Sequence, residues 1–379
     1  MTGPEPEIER AVSRCQRQLP ETLGGDSVAF GFDGVVDTVR EIIDERQDGA
    51  EYTPVTELAA VGDRIQESVD IKSSATFEWT EEATRTGGHV CHLTRALGTL
   101  EYEPTMIGTL GEPIDPVFRD EFERYPKVSI GQPGQTDAVE FDDGKLMLTQ
   151  PGDYRTLDWE TLCDCIDVAD LAERIDGRRL LGLGYWSVTP SFPDLLDGLR
   201  EELWPLLSSP PEHVLADPAD LRHVPPADLR GGASAFAALD DVVEVTVSAN
   251  RSECQVIASV FGDDVDEFEE TVQVAREALG VHRFVGHGVD RSASSTATET
   301  ASIAVPTVEN PVLTTSAGDH FNAGLAVGLL TDVDEDAALV LGNSLAGWFV
   351  RNGTGPTRDQ LRTFVDEYLD QFESVPADE

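Results

Sequence analysis

Lysine is almost absent from this chain. Lys72, Lys127 and Lys145 are its only three, and with the arginines they make 27 basic side chains against 72 acidic ones. The formal net charge over 379 residues is −45. A surface of that sign repels nucleic-acid phosphates and anionic membranes at low salt, so neither is an expected partner. The acidic residues run through the whole chain, which excludes a single acidic disordered tail. We read them as adaptation to concentrated salt, since at about 1 M the Debye length is roughly 3 Å and self-repulsion is screened. Cysteine is also scarce, with five residues irregularly spaced, too few for a disulfide framework. Cys163 and Cys165 form a lone Cys-x-Cys without the second pair a zinc site needs. No apolar run approaches transmembrane length. The opening Met-Thr-Gly-Pro-Glu-Pro-Glu has no basic or apolar signal segment, and the expectation is a cytoplasmic protein.

What is present alternates. Residues 6–18 read as an amphipathic helix and residues 27–32 as a strand, continued by Val35, Val36 and Asp37. Residues 40–85 are polar and mixed, with a helical stretch near 55–68 and a β-prone piece near 72–79. Residues 137–149 alternate around Asp142-Asp143-Gly144, a hairpin signal. Strands are expected at 105–110, 180–185, 213–216, 242–247 and 282–285, with helical patterns between them and helices near 318–330 and 335–351. Strands alternating with helices imply an α/β fold with a mostly parallel sheet. Ligands then bind beyond the strands' carboxyl ends, where the strand order reverses. The expected organisation is one domain over 1–379 with a small β-rich lid from about 38–80 and 135–152; a two-domain split is the alternative.

Chemistry concentrates in Thr314-Thr315-Ser316-Ala317-Gly318-Asp319, which leads into a run of small and apolar residues. This reads as a tight turn feeding a buried helix, whose free N–H groups attract an anion. An aspartate beside a bound phosphate makes sense if it takes a proton from the hydroxyl that attacks that phosphate. No Gly-x-x-x-x-Gly-Lys-Ser/Thr loop occurs. Further candidates are Asp33 and Asp37 at a strand end, able to accept from hydroxyls, and Arg85-Thr86-Gly87-Gly88-His89-Val90-Cys91-His92, whose paired glycines admit a ligand close to the backbone. His89 and His92 stand three apart, a metal-ligand spacing, but no third ligand accompanies them. Asn250 and Glu253 share a helical face, and Gly286-His287-Gly288 follows a strand.

Taken together these segments resemble the PfkB/ribokinase family of carbohydrate kinases, with some likeness to ADP-dependent sugar kinases in the long insertion near 40–85. The resemblance runs from residue 27 to about 355 and implies a ribokinase-like fold. Ala317-Gly318-Asp319 is similar to the core of the family's Asp-Thr-x-Gly-Ala-Gly-Asp motif. Ser316 stands in place of its first glycine. Leu313 stands in place of its first aspartate and cannot supply that residue's monovalent-cation ligand. The implied roles are Asp319 as base, with N–H groups of Ala317, Gly318 and Asp319 as an anion hole. Asp33, Asp37, Arg85, Gly87, Gly88, His89 and His92 would bind the substrate, although both histidines replace asparagines of a Gly-Gly-Asn-x-x-Asn motif. Asn250 and Glu253 resemble Asn-x-x-Glu, implying Mg2+ held through water beside ATP or ADP. His287, Gly288 and Ser316 would touch nucleotide phosphates, and Gly342-Asn343-Ser344 lies where the base packs. The implied partners are a sugar or sugar phosphate and a nucleotide, with a possible homodimer through the lid. Arg40 and Arg85 keep a phosphorylated substrate such as ribose 1-phosphate or fructose 6-phosphate open. A nucleoside kinase and a non-catalytic sugar- or nucleotide-binding module stay open as well.

Overall fold

The computed structural model describes residues 6–48, 51–262 and 265–372. Ser-Val-Ala-Phe-Gly-Phe forms β1 (Ser27–Phe32), buried from Val28 onward. A strand with no polar face is one covered on both sides. It lies between β5 (Glu103–Gly108) and β9 (Leu180–Gly184), parallel to both. The sheet continues in parallel from β9 through β10 (His213–Asp217), β11 (Glu244–Asn250) and β12 (Arg283–His287). An antiparallel pair, β13 (Arg291–Ser295) and β14 (Thr300–Ala304), closes that edge. β6 (Lys127–Ser129) flanks β5 at the other edge. The nine-strand order is therefore β14-β13-β12-β11-β10-β9-β1-β5-β6. The chain moves one way from β1 to β5 and β6, then returns to β1's other side with β9. That reversal opens a crevice at the carboxyl ends.

Each face of this sheet carries a hydrophobic layer. Val28 and Phe30 join one cluster with Leu93, Leu97, Phe321, Leu325 and Leu341. Ala29 joins the other with Leu181, Trp186, Phe236 and Val245. The helix Ala317–Leu330 is buried along nearly its whole length, as a helix apolar on all sides must be.

A second sheet of five strands surrounds β2 (Val35–Asp48), which pairs with β3 (Glu51–Pro54), β4 (Glu78–Gly87) and β7 (Gly134–Phe141); β8 (Gly144–Gln150) completes it. The helix Leu58–Asp70 packs on it through a small core of Ile42, Val55, Val61 and Val139. Val35–Asp37 thus do not extend β1. Only Asp33 and Gly34 separate β1 from β2, and Val35 already pairs with Gly87 and Gly134 in the second sheet. Much of the stretch read as mixed and polar is strand, because charged residues such as Asp44 and Glu45 are exposed on a ribbon that buries Ile42 and Ile43. The hairpin at 142–144 forms where its alternation placed it.

Candidate active site

The crevice is built at the ends of β1, β9, β10, β11 and β12. Asp33, one residue past β1, is buried. Its two oxygens accept the backbone N–H groups of His89 (2.8 Å) and Val90 (3.0 Å). It therefore caps the helix His89–Thr99, and each of its oxygens retains a second lone pair. Burial lifts its carboxyl to about 7 despite those two bonds. Gly88 sits at φ 90°, and a Cβ there would lie 2.7 Å from Asp33 Oδ2. Gly87 faces Asp37, whose Oδ2 would lie 2.4 Å from a Cβ at that position. Asp37 is half-buried; burial raises its carboxyl, while Thr136 and Arg85 pull it back. Arg85 is exposed and directly opposite Asp37 on β4.

His89 is fully buried, with neither ring nitrogen hydrogen-bonded among the described residues. Burial pushes its imidazole down to about 4, so it is neutral at pH 7. It stands edge-on to Tyr185 at 5.5 Å. Gly184, at the end of β9, leaves it room, since a Cβ there would lie 2.6 Å from the ring. His92 turns elsewhere: its Nε2 lies 3.1 Å from Ser316 Oγ and its Nδ1 3.3 Å from Arg95.

Asp319 begins the buried helix Ala317–Leu330 and is itself buried. Its Oδ1 accepts the Tyr185 hydroxyl at 2.6 Å. Burial raises its carboxyl, and the Tyr185 bond is the largest opposing influence. The expected three-donor anion hole is narrower here. Ala317 N–H closes the turn onto the Thr314 carbonyl at 3.2 Å, leaving the first-turn N–H groups of Gly318 and Asp319 for a ligand. A Cβ on Gly318 would lie 3.3 Å from His287 Cε1, so His287 flanks this hole. It too is kept neutral, pushed to about 4 by burial.

Two further residues complete the pocket. Asp217, at the end of β10, brings an oxygen within 4.8 Å of donor atoms of His89 and Asp319. Its two oxygens each accept one hydrogen bond, from Ala219 N–H and from Asn322 Nδ2, both at 2.7 Å. Burial, then the charges of Asp319 and Glu253, drive its carboxyl well above the ordinary range. Close buried carboxylates disfavour each other's charge, and burial raises both Asp217 and Asp319. Each Asp217 oxygen keeps a second lone pair, so His89, Asp217 and Asp319 together present three ligand atoms within 4.8 Å of one another.

Asn250 and Glu253 form a reciprocal cap at the start of the helix Arg251–Phe261. Asn250 Oδ1 takes the N–H groups of Ser252 (3.0 Å) and Glu253 (3.1 Å), and Glu253 Oε2 takes the Asn250 N–H at 2.8 Å. Burial raises the Glu253 carboxyl to about 7. Asn250 pairs with His287 in the sheet, which places the two loops side by side. A Cβ on Gly288 would lie 3.4 Å from Arg251 Nε. From the second sheet, Lys145 on β8 reaches across to Thr315 Oγ1 at 2.7 Å and to Glu140 at 3.0 Å. Arg40 is bound to Asp137 and lies over Trp79 at 4.8 Å. Asn343 bonds Tyr368 within the core. Tyr185 and Asp217 escaped the sequence reading, since each merely ends an apolar strand; the available signal was a polar residue just past a predicted strand.

The model of the prokaryotic ketohexokinase family matches residues 4–368. A ketohexokinase of Haloferax volcanii is 47% identical over 375 residues, covering 99% of this chain and 100% of that protein. Among solved structures, phosphofructokinase-2 from Escherichia coli, in complex with substrates and products, superposes with TM-score 0.63 at 14% identity, over 91% of this chain and 99% of that one. A ribokinase from Arabidopsis thaliana, complexed with ribose and ATP, gives 0.61 at 17%, over 90% and 99%. The ribokinase of Thermotoga maritima gives 0.60 at 17%, over 91% and 99%. Among the described residues, no helix is long and apolar enough to cross a membrane.

Proposed function

The chain belongs to the prokaryotic ketohexokinase family and is a carbohydrate kinase; from that premise we propose that it transfers the γ-phosphoryl group of ATP to a hydroxyl of a ketohexose, with fructose the first candidate. The observation that carries the residue assignment is the buried Asp319 carboxylate, held by Tyr185 beside two unpaired helix N–H groups. In our reading Asp319 accepts the proton of the attacking hydroxyl. The N–H groups of Gly318 and Asp319 hold the transferred phosphoryl oxygens, as fixed donors suited to charge that develops in the transition state. His89, neutral and unpartnered at the pocket floor, orients a sugar hydroxyl, and Asp37 accepts from another. Closure of the small sheet, as a lid on a single domain, excludes water.

Glu253 and Asn250 fit Mg2+ held through water and not by direct ligation, because Asn250 Oδ1 is already taken and the Glu253 carboxyl is buried at about 7. When bound, that ion would neutralise charge on the nucleotide phosphates. His287 and Gly288 line the same nucleotide side. Arg40 is committed to Asp137 and Trp79, which favours a free sugar over a sugar phosphate. Half-exposed Trp79, Met147 and Leu148 support a further reading that the chain pairs through the lid sheet.

The test is a transfer screen in multimolar KCl with Mg2+, crossing ATP and ADP with fructose, aldohexoses, ribose, sugar phosphates and nucleosides. ATP with a ketohexose should give the highest kcat/KM, and Asp319→Asn should abolish turnover while retaining nucleotide. A stronger reaction with a sugar phosphate, a nucleoside or ADP would replace this assignment.

A further inference from the structure

Ser316 occupies an unusual position. Its φ is 70°, in the left-handed region, where a non-glycine residue is uncommon and strained. It immediately precedes the helix that carries Gly318 and Asp319. A serine retained in strained backbone beside a reaction centre calls for a use of its side chain.

The hydrogen bonds around it define one. Arg95 donates from Nε to Glu121 Oε1 at 2.6 Å and from Nη2 to Thr86 Oγ1 at 2.6 Å, and Thr86 Oγ1 donates to Glu121 Oε2 at 2.6 Å. The guanidinium is thereby held in place, and its Nη1 lies 3.3 Å from His92 Nδ1. Arginine can only donate, so Nδ1 must accept. The remaining proton of the neutral ring is then on Nε2, which points at Ser316 Oγ from 3.1 Å. His92 therefore donates to Ser316, and the serine hydroxyl proton is left to point away from His92. That proton is directed to the Asp319 side, where the hydroxyl acts as a hydrogen-bond donor favouring the carboxylate, so a phosphoryl oxygen seated there would compete for it.

We propose that Ser316 Oγ–H is a third donor to the transferred phosphoryl group, restoring the count that Ala317 N–H does not supply, and that His92, Arg95 and Glu121 are positioning residues fixing its direction. The inference rests on the kinase reading above and concerns the same site. It gives His92 a task distinct from sugar binding: it acts on the phosphoryl group through Ser316.

The experiment compares Ser316→Ala, Ser316→Gly, His92→Ala, His92→Gln and the double variant Ser316→Ala/His92→Ala. Steady-state kinetics and thermal midpoints are measured in multimolar KCl, after wild type is shown to turn over and Asp319→Asn to be inactive. Loss of one such donor lowers kcat on the order of 10²-fold, and both serine variants should show this with sugar KM within about threefold of wild type. Ser316→Gly should have a thermal midpoint no lower than wild type, which separates the effect from misfolding. His92→Ala should resemble Ser316→Ala, the double variant should be no slower than Ser316→Ala alone, and His92→Gln, which keeps a donor near Nε2, should recover part of kcat. Wild-type kcat in Ser316→Gly would overturn the proposal, as would additive losses in the double variant, or a His92→Ala defect confined to sugar KM. Absence of wild-type transfer to any sugar would instead overturn the kinase assignment.

Discussion

Replacing Gly88 by alanine tests how the helix His89–Thr99 is set in place. Gly88 has φ 90° and ψ 159°, a region that L side chains enter at a cost of about 1–3 kcal/mol. The new Cβ would also stand 2.7 Å from Asp33 Oδ2 and 3.0 Å from its Cγ, closer than real contacts allow. The carboxylate must therefore yield, and with it the bonds to His89 and Val90 N–H. Loss of a helix cap costs about 0.5–2 kcal/mol. The expected destabilisation, the sum of strain and lost cap, is about 1.5–5 kcal/mol. Urea unfolding followed by circular dichroism at constant, multimolar KCl measures it, because urea leaves ionic strength unchanged. Repeating the substitution in Asp33→Ala separates the two parts. There only backbone strain remains, so the penalty of Gly88→Ala should shrink by about 0.5–2 kcal/mol. A penalty below about 1 kcal/mol, the low end of the strain alone, or one identical in both backgrounds, would refute the argument.

Tyr185→Phe removes the bond that favours the charged form of Asp319. The carboxyl pKa then rises, so the acid limb of kcat/KM should move to higher pH; an unmoved limb would show that Asp319 does not govern it. Dialysis from multimolar to low salt should unfold the protein, because a net charge of −45 is then unscreened; a far-ultraviolet spectrum unchanged at low salt would exclude this. Lys145→Met removes the bridge to Thr315 and should raise sugar KM a few-fold, in keeping with about 1 kcal/mol for a partly exposed charged hydrogen bond; unchanged kinetics would make the bridge incidental.

Parts of this site are legible in sequence because their chemistry is local. Thr314–Asp319 announces a helix start by its turn residues, and Gly87-Gly88 announces close approach. Asn250 and Glu253 are legible as a pair, since a capping box is written in the spacing itself. Tyr185 and Asp217 carry no such signature: only the packing of β9 and β10 beside β1 brings them to Asp319. Asp33 and His92 have protein partners that the sequence does not show, for a related reason. A carboxylate and an imidazole look alike in sequence whether they face a ligand or a neighbouring helix, and here both face protein. In the fold, β2 is obscured by its load of glutamate and aspartate, which blurs the alternation that marks a half-buried strand. β13 and β14, rich in Ser, Ala and Thr, have too little apolar content to stand out.

Two of the four crossings between the two sheets converge on one carboxylate. The chain leaves the large sheet through Asp33-Gly34 and returns through Gly87-Gly88 into the helix that bears His89. Asp33, lying in the first crossing, is bonded to the N–H of the residue just past the second. A Cβ on Gly34 would meet the Thr109 carbonyl at 2.4 Å, so this crossing is wedged against the neighbouring loop. Two of the small sheet's four connections to the large one are thus tied together. A displacement of either connection is therefore felt at the other, and at the N-terminus of the helix that carries His89.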